Sequence, residues 1–166
     1  MSVEIAEIFR RVSHGVYVIG VSSGERRNAF TAAWVMQVSF KPLMLAVSIN
    51  PGHSSYGLLK EGGRFSVTVL ARDQFDLALH FGQSAGIDKL ADQAWHPSPR
   101  GVPMIDTGLA QFECVYESEC DAGDHRVVVG RVIDGALLDR DRAPLIYRDT
   151  GDADGALMFF PDSFDP

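Results

Sequence analysis

The chain has 166 residues, of which 46% are apolar and 22% charged, the proportions of a globular protein that can bury a sizeable core. The length favours one domain spanning residues 1–166. The formal net charge of -7 disfavours the attraction to phosphate backbones on which nucleic-acid binding depends, so no nucleic-acid partner is expected.

The sequence also disfavours membrane and metal functions. There is no run of about 18 apolar residues and no basic-then-apolar signal at the start, so we expect a cytoplasmic protein without a membrane partner. The five histidines lack the paired spacing of a zinc site, and no metal is expected. Cys114 and Cys120 fall on one predicted strand, roughly 20 Å apart and too far for a disulfide, and both are expected to be buried.

The chain begins with a predicted helix and a predicted strand. Between Ser2 and Ser13 apolar residues recur at helical spacing, which predicts a helix packed through Ile5, Ile8, Phe9 and Val12. The next segment, His14–Val21, is apolar on both faces, as in a barrel strand that a helix or a partner subunit covers.

The stretch from Asn28 to Phe40 is the most informative part of the sequence and is predicted to form one strand. Two sets of side chains alternate along it with a period of two. The apolar set, expected to face the core, is Phe30, Ala32, Trp34, Met36 and Val38. The opposite set is small and partly polar, and consists of Thr31, Ala33, Gln37 and Ser39. This second face leaves room for a flat, partly polar ligand against backbone amides, so a binding wall is predicted.

A turn from Asn50 to Ser55 follows the next predicted strand and precedes a short helix that should end at Gly62–Gly63. The unpaired amides at a helix start favour an anion, so Ser54 and Ser55 are candidate phosphate contacts, with His53 as an optional positive charge. Serine is also a common helix cap that requires no ligand, and this alternative stays open.

The middle of the chain combines a strand, a helix and one lysine of interest. Arg64–Leu70 alternates cleanly, which predicts a half-buried strand. Asp73 is expected to cap a helix that runs to Phe81. Beyond this helix, Lys89 is either a counter-charge for a phosphate or an ordinary solvated lysine.

The last part of the chain predicts a loop and a hairpin. From Gln83 to Gly108 no periodicity is sustained, which indicates a long loop that covers a ligand or reaches a second subunit, with Trp95 as its apolar anchor. Two strands, Gln111–Cys120 and Arg126–Ile133, are predicted to pair through a glycine-containing turn, with His125 at the start of the second. The glutamates of the first strand are expected on its solvent side.

Three motifs occur in an order that resembles the flavin reductase-like family, the FMN-binding split barrels. They are NAFTAAWVMQVSFKP at residues 28–42, the turn at residues 50–55 and Gly123–Asp124–His125. Two further segments are similar to family elements: Phe81–Gly82 followed by Asp88–Lys89–Leu90, and a closing strand at Pro144–Arg148. Phe30 and Ala33 replace the usual Met and Ser, which removes one hydroxyl from the wall but leaves backbone contacts.

The resemblance implies a mostly β fold with short helices, namely an antiparallel, Greek-key-like FMN-binding split β-barrel. It implies bound FMN, with FAD as the alternative, NAD(P)H as co-substrate, and a homodimer whose interface lines the site. Hydride would pass from nicotinamide to flavin, and a monooxygenase or another acceptor would take the reduced flavin. His125 is the implied catalytic residue, beside the nicotinamide. The implied cofactor-binding residues are Asn28, Phe30, Thr31, Ala32, Ala33, Trp34, Gln37, Ser39, Ser48, Asn50, His53, Ser54, Ser55, Phe81, Gly82 and Lys89.

Two other functions stay open on the sequence. An FMN-dependent oxidase of the pyridoxamine phosphate oxidase-like type shares the fold, although its additional basic phosphate contacts are not evident here. A non-catalytic flavin- or haem-binding module shares the fold too, since a fold does not determine a function. Consumption of NADH distinguishes the reductase from both.

Overall fold

The computed structural model describes residues 2–164, in which short helices accompany a larger number of strands, so the predicted mostly-β class is confirmed. The helices are α1 (Ser2–Phe9), α2 (Ser54–Gly62) and α3 (Phe75–Phe81). The strands are β1 (Tyr17–Ser23), β2 (Arg26–Ala32), β3 (Val35–Phe40), β4 (Leu43–Ile49), β5 (Arg64–Val69), β6 (Trp95–Pro97), β7 (Pro103–Ile105), β8 (Ala110–Ala122) and β9 (His125–Leu137). Two 3-10 turns follow, at Tyr147–Thr150 and Ala156–Phe159.

Seven strands form one antiparallel sheet in the order β2-β1-β5-β8-β9-β4-β3, and β6 and β7 form a separate hairpin. The two edge strands, β2 and β3, are consecutive in the chain, and only Ala33 and Trp34 join them. The sheet must therefore curl until its two edges approach each other. The result is the predicted split barrel, which is open between β2 and β3 because these strands are not hydrogen-bonded neighbours in the sheet order.

Strand β1 separates two hydrophobic clusters. Ile19 and Val21 face the barrel interior, where they pack with Phe65 and with Leu59 of α2. Val18 faces the opposite way, into a cluster that contains residues of α3 and β7 and the later segment around residue 145. Both apolar faces of β1 are thus covered within the chain, and this strand gives no reason to expect a partner subunit.

The prediction of one strand from Asn28 to Phe40 was wrong. The chain bends at Ala33–Trp34, and this irregular pair breaks the alternation, so Val35 and not Trp34 turns inward. A second irregularity between Gln37 and Ser39 interrupts the pairing of β3 with β4. Val35 is buried, whereas three members of the expected core set, Trp34, Met36 and Val38, are exposed. Phe40, at the end of β3, is exposed too.

Two predictions for the middle of the chain also need correction. Strand β5 is not half-buried: Ser66 and Thr68 are as buried as its apolar residues, because β7 lies over that face and Ser66 Oγ donates to the carbonyl of Pro103. The segment Gln83–Gly108 is not a structureless loop, since it contains the β6–β7 hairpin. Its strands have three residues each and include prolines, so they are too short to show a period.

Three local predictions at helix and strand ends were wrong. Helix α1 ends at Phe9 and leaves Ile8, Phe9 and Val12 exposed. Asp73 does not cap α3, because Gln74 takes that position and Asp73 Oδ1 accepts from Arg142 Nη1 at 3.2 Å. Pro144–Arg148 forms single bridges at residues 144 and 146 instead of a strand.

Strand β8 differs from prediction at two side chains. Cys114 is buried as expected, and burial raises the pKa of its thiol to about 12, but Cys120 is exposed. Glu113, expected on the solvent side, is buried because Ser98 Oγ and Arg100 Nη1 donate to its carboxylate at 3.0 and 3.3 Å.

Two glycines of α2 allow a matched test of the packing between this helix and β1. A Cβ at Gly62 would lie 1.8 Å from the carbonyl oxygen of Ser22, whereas a Cβ at Gly57 would meet no atom within 4 Å. We expect Gly62→Ala to destabilise the protein by about 1–3 kcal/mol, because the backbone of β1 must shift. Gly57→Ala should stabilise it by about 0.5–1 kcal/mol, since alanine favours the helix. Urea unfolding of both variants measures the two effects, and equal effects would contradict this packing.

Candidate functional site

The predicted binding wall lies at the edge of the sheet. Because β2 is the first strand in the sheet order, one row of its backbone N–H and C=O groups has no strand partner. Helix α3 packs beside this strand: Thr31 Oγ1 donates to the carbonyl of Ala78 at 2.6 Å. A Cβ on Gly82 would lie 4.0 Å from Thr31 Cβ. The structure thus brings Thr31 and Gly82 together at the edge of β2.

The start of α2 meets the same strand. His53, not a serine, is the cap: its Nδ1 accepts from the backbone N–H of Ser55 at 3.1 Å. Asn28 Nδ2 donates to Ser55 Oγ at 2.8 Å, and the ring of Phe30 lies 4.7 Å from that of His53. Ser55 is fully buried, whereas Ser54 is exposed. Of the two serines, Ser54 is therefore the one whose side chain is accessible to a ligand.

His53 is not the positive charge that the sequence suggested. Burial lowers the pKa of its imidazole, and the nearby positive charge of Lys89 lowers it further. A neutral ring also agrees with the hydrogen bond, because Nδ1 can accept from Ser55 only while it carries no proton. His53 therefore shapes the turn before α2 and leaves the charge at this junction to other residues.

Lys89 is buried, with only 2% of its surface exposed, which excludes the ordinary solvated lysine of the two alternatives. Its Nζ donates to the carbonyls of Phe81 and Gln83 at 3.1 and 3.2 Å, around the end of α3. A cation is favoured at the C-terminus of a helix, where unpaired carbonyls gather. Burial nevertheless lowers the pKa of the ammonium group, because the charged form has lost water.

A cavity of about 530 Å³ opens beside this junction. Of the residues implied by the resemblance, Asn28 and Ser54 line it. Apart from Arg27 of β2 and Leu58 of α2, the other lining residues come from a turn, a loop and a three-residue strand, none of which carries a periodic signal. Of these, the sequence predicts only Trp95, as the anchor of a loop that covers a ligand or reaches a second subunit. The full lining is Glu25, Arg27, Asn28, Ser54, Leu58, Ala85, Gly86, Ile87, Asp88, Leu90, Ala91 and Trp95.

Trp34 and His125 form a separate pair. Their ring centroids are 4.9 Å apart, and the carbonyl of Trp34 accepts from the backbone N–H of Ser48 at 2.9 Å. His125 Nδ1 lies 2.7 Å from Asp124 Oδ1, and this hydrogen bond lowers the pKa of the Asp124 carboxyl. The turn before His125 is the predicted hairpin, with Gly123 at a φ of 63°.

Several implied cofactor-binding residues contact other parts of the protein and do not line the cavity. Gln37 Nε2 donates to the carbonyl of Ser39 at 3.3 Å on β3, away from the cavity lining. Asn50 Oδ1 accepts from the backbone N–H of Gly52 at 2.8 Å and so forms the turn before α2. Phe81 is fully buried in the second cluster, and Ala32 and Ala33 are half-buried at the end of β2.

Within residues 2–164, the helices are all too short or too polar to cross a membrane. The same part of the chain contains no group of three or more His, Cys, Asp or Glu side chains placed to bind a metal ion.

The fold defines a split-barrel protein with an open strand edge beside a cavity. The family described as flavin reductase like domain matches residues 9–156. The chain therefore belongs to the flavin reductase-like family.

Several relatives are similar to this chain over most of its length. Ferric-chelate reductase (NAD(P)H) of Archaeoglobus fulgidus is 30% identical over 147 residues, which are 86% of each protein. The chain spans 24% of the length of the diflavin flavoproteins of Nostoc and Synechocystis that it matches.

Solved structures show the same architecture. The NADH:FAD oxidoreductase SgcE6 of Streptomyces globisporus is 25% identical, with a TM-score of 0.80 over 87% of this chain and 86% of that one. BorF, the flavin reductase component of a bacterial two-component tryptophan halogenase, is 30% identical, with a TM-score of 0.77 over 87% of this chain and 98% of its own.

The residues present fit a flavin nucleotide, which offers a flat ring and an anionic phosphate. The edge of β2 carries small side chains and unpaired backbone groups, which suit a flat ring. The hydroxyl of Ser54, which is exposed at the start of α2, suits a phosphate. The buried Lys89 adds positive charge.

Ser54 and Ser55 provide a matched test of the phosphate contact. We expect Ser54→Ala to weaken FMN binding by about 1.5–3 kcal/mol, the size of a charge-assisted hydrogen bond, and to change riboflavin binding far less. Ser55→Ala should instead lower the stability of the flavin-free protein, because it leaves the amide of half-buried Asn28 without its acceptor. Flavin titrations and thermal melts separate the two effects. Equal losses for FMN and riboflavin in Ser54→Ala would remove the phosphate role.

Proposed function

We propose that the protein is an NAD(P)H-dependent flavin reductase that binds FMN and supplies reduced flavin to a monooxygenase or another acceptor. The observation that carries the proposal is the junction at the edge of β2, where unpaired backbone groups, an accessible helix start and a cavity lie together. The similarity to SgcE6 and to ferric-chelate reductase (NAD(P)H) supports it. The proposal treats residues 1–166 as one domain and includes a cytoplasmic location, where NAD(P)H is available.

The side chains contribute binding and alignment. When bound, a flavin accepts hydride from reduced nicotinamide, so the cofactor provides the chemistry. Thr31 and the backbone of β2 would hold the ring, and Ser54 at the start of α2 would hold the phosphate. Hydride transfer between two stacked rings depends mainly on their proximity and orientation, so the protein needs no general acid or base for this step.

His125 is the residue we propose to contact the nicotinamide. The Asp124 carboxylate can only accept, so Nδ1 of His125 is the donor in their 2.7 Å hydrogen bond. With Nδ1 engaged by Asp124, Nε2 is the ring nitrogen left to contact the nicotinamide carboxamide. Contact with Trp34 on one side limits the rotation of the ring.

The rate of flavin reduction tests both the function and this role. Purified protein with FMN should oxidise NADH or NADPH. His125→Ala should lower kcat/KM for the nicotinamide by about 10- to 100-fold, or roughly 1.4–2.8 kcal/mol, with little change in flavin affinity. His96→Ala is the control, because His96 is also paired with an aspartate, Asp106, but it lies on β6 and not at the β8–β9 turn.

Stopped-flow reduction of bound FMN beside a thermal melt separates the outcomes. An unchanged reduction rate in His125→Ala would make His125 a structural residue. Flavin binding without oxidation of either nicotinamide would favour a non-catalytic module. Oxidation of another substrate without NAD(P)H would favour an oxidase.

We also propose a homodimer, formed through β3 and not through β1. Strand β3 is a sheet edge with a row of exposed apolar side chains, Trp34, Met36, Val38 and Phe40. Leu43 and Leu137 extend this row over a second, mostly apolar cavity of about 510 Å³. An exposed apolar edge of this kind favours association. A second copy is the proposed partner because the row begins at Trp34, next to His125, so the interface would adjoin the site.

Charge on β3 should disrupt this dimer. We expect the protein to be dimeric in light scattering at micromolar concentration, and Phe40→Glu to be monomeric, because the interface would have to bury an unpaired carboxylate. Met158→Glu is the matched control: Phe40 and Met158 are 81% and 79% exposed, but Met158 lies in the last 3-10 turn. A monomeric wild type, or a dimer that survives Phe40→Glu, would contradict this interface.

A further inference from the structure

The cavity beside β2 is larger than a phosphate contact requires. Its volume of about 530 Å³ lies in the range of sites that enclose a whole small molecule. Asn28 and Ser54 occupy one part of the wall, and the remaining lining comes from Glu25, Arg27, the loop at residues 85–91 and Trp95. This second part of the cavity has no role in the function described so far.

Arg27 and Trp95 form the centre of this second part. The guanidinium carbon of Arg27 lies 5.6 Å from the ring centroid of Trp95. Trp95 is held in place, because it pairs with Ile105 across the β6–β7 hairpin and packs against the second cluster. A fixed indole can stack with a heteroaromatic base, and a guanidinium can bind phosphate oxygens through two parallel hydrogen bonds. The pair thus combines the two groups that a nucleotide needs.

The acidic residues of the lining distinguish a nucleotide from a free anion. Glu25 and Asp88 both line the cavity, so a bare phosphate would meet two negative charges as well as Arg27. Asp88 Oδ1 already accepts from the backbone N–H groups of Leu90 and Ala91. The other carboxylate oxygens remain acceptors for hydroxyl and amino groups, which a ribose and an adenine provide.

We propose that this cavity binds the adenosine diphosphate portion of a dinucleotide, with adenine against Trp95 and the diphosphate at Arg27. FAD and NAD(P)H both carry this portion, and FAD is favoured because the candidate flavin-phosphate contact, Ser54, lies in the same cavity. The inference rests on the proposed flavin-binding function. It adds that the protein prefers FAD to FMN and that residues outside the flavin wall determine this preference.

Binding measurements on the full chain test the proposal without relying on turnover. FAD, FMN, riboflavin and ADP are titrated into the wild type, Arg27→Gln and Arg26→Gln. Arg26 is the control, because it neighbours Arg27 on β2 but pairs with Glu61 and does not line the cavity. We expect FAD to bind at least about tenfold more tightly than FMN, and ADP to compete with FAD. Arg27→Gln should weaken FAD and ADP by about tenfold and FMN by less than about twofold, and Arg26→Gln should change none of them.

Trp95→Leu adds a second variant that keeps an apolar side chain in the cluster and removes the stacking surface. It should weaken FAD and ADP but not FMN, with a thermal melt close to that of the wild type. Equal affinities for FAD and FMN together with no ADP binding would overturn the proposal. Equal losses of FMN and FAD in Arg27→Gln would also overturn it, since Arg27 would then bind only the flavin phosphate.

The two sources of the adenosine diphosphate portion give different competition patterns. ADP that displaces FAD assigns the cavity to the flavin dinucleotide. ADP that displaces NAD⁺ but not FAD supports the same site and assigns it to the nicotinamide dinucleotide. Failure of the proposed function is distinct from both, because the protein would then bind neither FMN nor FAD.

Discussion

The arrangement of the whole molecule depends on the short connection between β2 and β3. These strands lie at opposite ends of the seven-strand order, yet only Ala33 and Trp34 join them. Three Cα–Cα steps from Ala32 to Val35 span at most about 11 Å, so the sheet has to curl until its edges approach. Strands inside the sheet use their backbone groups on both sides, whereas an edge strand keeps one row free. The same curl therefore encloses the core and leaves β2 with the polar edge at which flavin binding is proposed.

Buried polar groups hold the helix ends against this edge. Ser55 accepts from Asn28, His53 accepts from Ser55, and Lys89 donates to two carbonyls at the end of α3. Each such group would cost about 1–3 kcal/mol if it were buried without its partner, so the junction is specified as tightly as an apolar core. Because His53 is neutral, the buried ammonium of Lys89 is not opposed by a charge of the same sign at the cap. A cation that is poorly solvated by water attracts an anion more strongly than an exposed one.

The sequence predicted elements well where a local signal is uninterrupted. Helix α2 and the β8–β9 hairpin occur at the expected places, because glycines with positive φ, Gly63 and Gly123, end the helix and form the turn. The prediction of which side chains of β3 face the core was wrong, because two irregular residues, Ala33 and Trp34, break the alternation. As a result Val35, and not Trp34, turns inward. The cavity was missed for a different reason: Arg27 and Trp95 are 68 positions apart in the sequence and meet only through the topology. Periodicity reports which face of an element is buried, not which elements become neighbours.

Trp34 connects the two surfaces on which the proposed function depends. Its carbonyl is fixed by Ser48 and its ring packs on His125, while 48% of its surface remains exposed at the start of the apolar row on β3. A subunit covering β3 would bury the outer side of this ring and reduce the conformations open to it and to His125. Ordering these side chains before the substrate arrives lowers the entropic cost of aligning the nicotinamide. Assembly would then contribute to hydride transfer through positioning, because the residue that begins the interface is the one that holds His125.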